Sequence, residues 1–506
     1  MAQCPRRLWP LSYLVHASLR HCRLTSVRLP DLSHLRHLDL SHNNLTVLDM
    51  DAFLHLDELR TLILSDNKLH TLTGGRHSER QTSLIRLDLS RNALASLDTR
   101  PFKLFFSVKH VNLSSNRLQV IDETGFLYTQ ALAVLDLRGN DIHTYPSNVF
   151  KERINLQMIY ADSYKLCCPE MLPAAFEKNF CFAPKDEISS CEDLLRTNSY
   201  RAFLWFISVA SVMGNLLCFL LWTREKKSRY AQGFSIFVNN LSLADGCMGV
   251  YLAVIGGADL VYRGSYFRHD ADWTSSAACS AAGFLSLLSS EVSALTICLI
   301  TLDRFIALRF PFSQWRPGRR AARAACVTAW ALGGVLAALP LLLPDWRFYS
   351  QSGICVPLPV TRRRFPGHGY SFGIIVVFNF ILFLLVALGQ VFIYLSVQAN
   401  AMAGDQTTRK AQDSTIGRRL ISVALSDFLC WFPIGLLGLM ASGGFPVPGE
   451  ANVALAIFVL PLNSALNPFL YTLNVLLEKR RKRREREILH WMVKNVGNTQ
   501  DSCCCS

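Results

Sequence analysis

Two hydrophobic rhythms divide this chain. Over roughly residues 14–166 the leucines come in short bursts, with one residue between the last two of each burst and an Asn three residues on. "LRHLDLSHNNL" from Leu35, "LRTLILSDNKL" from Leu59, "LIRLDLSRNAL" from Leu84, "VKHVNLSSNRL" from Val108 and "LAVLDLRGNDI" from Leu132 share this spacing. The period-2 spacing of L-x-L predicts a short strand with one face buried. From residue 200 the alternation stops, and continuous apolar runs fall at 200–222, 233–256, 278–307, 322–343, 369–397, 418–441 and 451–473. Each is long enough to cross about 30 Å of hydrocarbon as a helix rising 1.5 Å per residue.

The Asn residues of the first region (Asn43, Asn67, Asn92, Asn116, Asn140) recur every 24 or 25 residues, the pattern of a leucine-rich repeat. Such repeats stack into a solenoid, an α/β horseshoe, with the Asn satisfying backbone groups in each turn. A degenerate unit is read at Leu14, Leu19 and Leu24, with Cys22 in the Asn place, and a last one begins at Leu156. Residues between the leucines are expected on the outward, concave face, among them His37, Asp39, Ser41, Ser65, Asp88, Ser90, Asn112 and Asp136. The row of Asp39, Asp88, Asn112 and Asp136 is a candidate surface for a basic ligand, against the plainer reading that LDLS is simply what this repeat prefers. Sequons at Asn44 and Asn112 predict glycosylation and an extracellular face.

Composition strengthens the membrane reading. Half of the 506 residues are hydrophobic and only 18% are charged, too apolar for a soluble chain of this length. The net charge of +14 invites a nucleic-acid reading, but the basic residues gather in the short gaps between apolar runs. They concentrate after the first, third and fifth runs and in the tail, which places the tail in the cytoplasm and the repeats outside. Sixteen cysteines show no pairing with zinc-site spacing. Cys167, Cys168, Cys181 and Cys191 form a collar before the first span, and two cross-links join Cys167/Cys168 to Cys181/Cys191 in one or the other connectivity.

The chain therefore reads as residues 1–13, an incomplete N-terminal segment with little room for a signal peptide; 14–166, repeats; 167–198, a cysteine-rich hinge; 199–475, a seven-helix membrane bundle; and 476–506, an amphipathic cytoplasmic helix and tail. Basic residues in "EKRRKRREREILHWMV" suit the anionic inner leaflet, and Cys503, Cys504 and Cys505 form a palmitoylation cluster.

Polar residues inside the spans need partners at the same depth. Asn215, Asp245, Ser293, Asp427, Asn463 and Asn467 are expected to form one buried layer, with room for water or for a sodium ion at Asp245. Pro461 and Pro468 loosen the seventh helix beside it.

"GNLLCF", "LSLAD", "TLDRF", "CWFP" and "NPFLY" resemble the signature sites of rhodopsin-like G-protein-coupled receptors. With the repeats and "CCP" hinge, the chain resembles the leucine-rich-repeat receptors, and "FLSLLSSEVSAL" and "FVLPLNSALNPFLYTLN" resemble the relaxin-type hormone receptors most. That resemblance implies a Cys279–Cys355 bridge, a cytoplasmic switch of Asp303 and Arg304, and an activation core that includes Trp431, Pro433, Pro468 and Tyr471. Asp413, near the inner end of the sixth span, is a candidate restraint on Arg304, set against an ordinary solvated loop acid. Phe305 follows Arg304 where relatives carry a tyrosine.

The function expected is that of a plasma-membrane receptor, N-terminus outside, for a relaxin- or insulin-like peptide, coupled to heterotrimeric G proteins. No enzymatic site, cofactor or nucleic-acid partner is expected. The alternatives are a receptor for a cystine-knot glycoprotein hormone, or an adhesion or scaffold protein whose bundle does not signal.

Overall fold

The structure is a computed structural model describing residues 13–29, 32–74, 83–97, 106–121, 126, 128–142, 146, 149–153, 155–184, 188–224, 231–310, 317–356, 366–402, 426, 428–430, 432–441, 443, 445, 447, 451, 454–470, 484–485 and 487–488. It divides into two units: Met1–Asp186 with Phe267–Ala271, and Glu187–Tyr266 with Asp272–Ser506.

In the first unit eight short parallel strands form one sheet in chain order, from His16–Ser18 through His37–Asp39, Thr61–Ile63, Arg86–Asp88, His110–Asn112, Val134–Asp136 and Met158–Tyr160 to Cys181–Phe182. The register is constant: Leu38 pairs with Leu62, Leu62 with Leu87, Leu87 with Val111, and Val111 with Leu135. These side chains are at most 2% exposed, so the leucine of each burst builds one continuous core. A two-stranded sheet, Val47–Asp49 with Thr71–Thr73, lies outside that series.

The asparagines staple neighbouring turns. Asn67 Nδ2 donates to Leu40 O in the preceding repeat at 3.0 Å and to Leu64 O in its own at 3.1 Å. Its Oδ1 accepts from Leu45 N at 3.1 Å. Asn43, Asn92, Asn116 and Asn140 repeat the arrangement, accepting from Leu24, Leu69, Leu94 and Leu118. The residue before each Asn takes a positive φ: His42, Asp66, Arg91, Ser115 and Gly139. At Gly139 this conformation is free of strain, but an added Cβ would stand 3.0 Å from the Ser115 backbone. Cys22, read in the Asn place, is exposed and donates to Arg20 O at 3.4 Å within its own turn, a weak substitute because a thiol is a poorer donor and acceptor than an amide.

The second unit is helical. Among the described residues five helices are long and apolar enough to cross a membrane: Asn198–Arg224, Gly233–Val261, Ala277–Ala307, Arg319–Leu342 and His368–Ser396. They are called spans one to five. The shorter apolar helix Phe428–Ala441 and the segment Ala454–Pro468 follow, the latter opening with a π-helical stretch, Ala454–Val459. Spans one and two meet at Gly249, where a Cβ would lie 2.7 Å from Val212 Cγ2; Ser208 Oγ uses that approach to donate to Gly249 O at 2.8 Å.

Candidate functional site: a polar layer in the helical bundle

The centre of the layer is Asp245, on span two and 0% exposed. Ser293 Oγ on span three donates to its Oδ1 at 2.8 Å, and Asn467 Nδ2 donates to its Oδ2 at 2.7 Å. Span one joins through backbone: Ser211 Oγ donates to Asp245 O at 2.7 Å, and Asn215 Nδ2 to Ser464 O at 2.9 Å. Four segments of the chain thus close on one residue, two of them through its carboxylate. Asn215, Ser293, Asn463, Ser464 and Asn467 are all at most 5% exposed. Asn463 Oδ1 and Asn467 Oδ1 accept no hydrogen bond among the described residues, so an oxygen acceptor remains on the Asn467 amide that meets the carboxylate. Hard oxygen donors of this kind fit a sodium ion, though both Asp245 oxygens already receive donors.

Pro468 is buried against span one, its Cβ and Cγ 3.2 Å from the position a Cβ on Gly214 would take. Pro433 is half-buried on the sixth helix. Asp427, Trp431, Tyr471, Asp413 and Cys503–Cys505 lie outside the described residues.

At the inner end of span three Arg304 Nη2 is 3.0 Å from Asp303 Oδ2, and its guanidinium lies 3.7 Å over the ring of Phe234 on span two. Phe305 meets Phe392 of span five edge-on at 6.3 Å. At the outer end Cys279 is bonded to Cys355. The loop carrying Cys355 is further pinned by Tyr251, which donates to Ile354 O at 2.8 Å, and by Trp273, which donates to Gly353 O at 2.7 Å.

In the repeats the outward acids turn out to be partly structural. Oδ1 of Asp39 accepts from Ser41 N, that of Asp88 from Ser90 N and that of Asn112 from Ser114 N, at 2.9–3.0 Å. Asp136 accepts from Arg138 N and pairs with its guanidinium at 2.6 Å. Asp39 Oδ2 lies 3.7 Å from Arg20. Asp88 has no ion-pair partner among the described residues, which leaves it the freest carboxylate of the row. Ser41, Ser65 and Ser90 are buried rather than outward, because each sits in the bend that its neighbouring Asn closes. Asn44 and Asn112 are half-buried. In the hinge Cys167 is bonded to Cys181, and Cys168 and Cys191 are disulfide-bonded as well.

Two charged clusters escaped the sequence reading. Arg201, at the outer end of span one, meets Asp259 Oδ2 of span two at 2.5 Å and Asp193 Oδ2 at 3.3 Å, and reaches Leu195 O at 3.2 Å. Glu291 on span three, 0% exposed, accepts at Oε1 from Asn379 Nδ2 on span five at 2.8 Å. The rule that flagged Asp245, an ionisable residue inside an apolar run, applies equally to Glu291.

Comparison with known proteins adds the lineage. Residues 214–471 match the model of the 7 transmembrane receptor (rhodopsin family), and 15–72, 82–142 and 106–166 match leucine rich repeats. The chain belongs to the rhodopsin family of seven-transmembrane receptors. It is a multi-pass membrane receptor with a leucine-rich-repeat solenoid ahead of its helical bundle. It is 37% identical over 358 residues to G-protein coupled receptor GRL101 of Lymnaea stagnalis, covering 70% of this chain and 31% of that one. It is 33% identical over 337 residues to Relaxin receptor 2 of Canis lupus familiaris, covering 66% and 45%. The thyrotropin receptor of Felis catus matches at 31% over 299 residues, covering 59% and 38%. The chain spans less than half the length of these curated relatives.

Proposed function

We propose that this receptor sits in the plasma membrane with its repeats outside, binds a relaxin- or insulin-like peptide hormone, and signals through heterotrimeric G proteins. The observation that carries the reading is the convergence of spans one, two and three and the seventh-helix segment on Asp245. A layer of this kind has a small number of discrete hydrogen-bond arrangements, so a ligand that favours one arrangement outside can change the cytoplasmic end where Arg304 sits. Similarity to relaxin receptors over about two thirds of the chain supports the hormone class. Asp88 is the residue best placed to meet a basic group on the hormone, since its second carboxylate oxygen is not committed to a turn.

Cyclic AMP in cells expressing the full chain tests this. A rise on adding relaxin-like peptides supports it, and a rise only with a cystine-knot hormone would shift the ligand class towards that suggested by the thyrotropin-receptor match. No rise with any ligand, at verified surface expression, would favour a non-signalling adhesion protein. Asp88→Lys should weaken hormone response while leaving surface expression unchanged; an unaltered response would confine Asp88 to turn chemistry.

A further inference from the structure

Glu291 stands apart from the layer around Asp245. Its carboxyl is fully buried between spans three and five, and no salt bridge reaches it among the described residues. Among the described residues only Oε1 is engaged, by Asn379 Nδ2. Two atoms of this pair have no partner among the described residues: Glu291 Oε2, an acceptor if the carboxyl is ionised, and Asn379 Oδ1, an acceptor always. An ionised carboxylate held by one amide N–H in a hydrocarbon-surrounded core is among the costliest arrangements a membrane protein can hold.

We propose that Glu291 is a proton-binding site, carrying a proton on Oε2 that it donates to Asn379 Oδ1. One proton then satisfies both orphaned atoms and closes a two-hydrogen-bond ring of carboxylic acid and amide, tying span three to span five. Local backbone supports the placement. The π-helical stretch Phe372–Phe378 ends immediately before Asn379, and Asn379 Nδ2 also donates to Ile374 O at 3.1 Å within it. The wide turn presents Asn379 to span three, as π-bulges at functional positions do.

The titratable neighbours are consistent with a neutral acid. On span five Tyr370 lies within electrostatic reach, with its hydroxyl donating to Leu336 O of span four at 2.6 Å. Asp245 of span two is occupied by Ser293, two residues along from Glu291, and by Asn467. Neither supplies a positive charge. Loss of the proton would place an anion against Asn379 Oδ1 and part the two spans, so proton release becomes a way to loosen the third–fifth helix contact.

Infrared difference spectra of the full receptor in lipid nanodiscs, wild type minus Glu291→Gln, test this at neutral pH. A protonated-carboxyl C=O stretch, present in wild type and absent from the variant, is expected. Absence of that band from the difference spectrum overturns the proposal, because the carboxyl is then ionised and held by solvent or a cation. A second measurement separates the ring from simple packing. Gln offers the same donor and acceptor as the protonated acid, so Glu291→Gln should keep the thermal midpoint within about 2 °C, whereas Glu291→Leu, which orphans Asn379, should lower it by roughly 4 °C or more. An equal fall in both variants would overturn the ring.

Discussion

The repeat region satisfies its polar atoms with the turn before, and the helical region satisfies its own across most of its length. Asn67 reaches Leu45 and Leu40, 22 and 27 residues away, and Asn43, Asn92, Asn116 and Asn140 copy the bond to the preceding turn. Asn467 reaches Asp245 over 222 residues and Asn215 reaches Ser464 over 249, and neither bond is copied among the described residues. The first construction distributes its stability over near-identical units, so a defect in one is felt by its neighbours alone. The second concentrates it, so one carboxylate holds several helices in a single arrangement. Concentration of that sort makes a switch, since a change at one residue moves every helix that meets there.

The largest test of this contrast is Arg201→Met. It leaves Asp259 buried without its cation, which costs about 3–5 kcal/mol when a buried pair is broken. Thermal unfolding of the purified full chain should show a large fall for the helical unit; a fall no greater than that of a single repeat variant would break the distinction. Cys279→Ser comes next, removing a cross-link over 76 residues that closes the outer end of span three, for about 2–5 kcal/mol. Surface labelling should drop sharply, and unchanged labelling would mean that Tyr251 and Trp273 hold the loop unaided.

Asn116→Ala sharpens the other side. It orphans Leu94 N, at about 1–3 kcal/mol for a group left buried and unpaired, and takes one of two amide donors from Leu89 O and from Leu113 O, which Asn92 and Asn140 still reach. Hydrogen exchange should quicken in the repeats on either side and stay unchanged in the spans. Propagation into the spans would show that the repeats do not contain their own damage.

The smallest expected effect is one of pH. His37 stacks on His16 with ring centroids 4.3 Å apart, and its ionisation is pushed below the ordinary histidine value, first by burial and then by His16, Arg36 and Arg60. The folded ring therefore resists a proton that the unfolded chain accepts. Stability is full above the unfolded value of about 6.5 and declines as pH falls below it. Exchange at the first two strands should rise modestly between pH 7 and 5, and His37→Gln should flatten that dependence. A dependence as steep in the variant would assign it elsewhere.

Much of the solenoid was legible because one rule is written repeatedly: the inward leucine and the stapling Asn need each other at fixed spacing. The rule was blind where spacing fails, at the final strand Cys181–Phe182, whose sequence carries no leucine burst. In the bundle, apolar length revealed the spans, and the polar residues of spans one, two, three and seven announced a shared depth. Which atoms meet was not legible, because pairings such as Asn467 with Asp245 depend on rotation of each helix about its axis. The helix Tyr266–Ser275, read only as part of a loop between spans, was hidden by its polar sequence. Arg201 passed as an ordinary residue at a span end, and its partners Asp259 and Asp193 become visible only when spans one and two pack.

The most direct measurement of the central claim is nucleotide exchange on a purified G protein by the receptor in nanodiscs, wild type against Asp245→Ala, with saturating relaxin-like peptide. Removing the carboxylate deletes the acceptor of Ser293 and Asn467, and a loss of about 1.4 kcal/mol in the active arrangement corresponds to a tenfold change in population. The account predicts a hormone-stimulated rate reduced roughly tenfold or more at equal receptor amount. A variant that folds, binds hormone and exchanges nucleotide at the wild-type rate would contradict it.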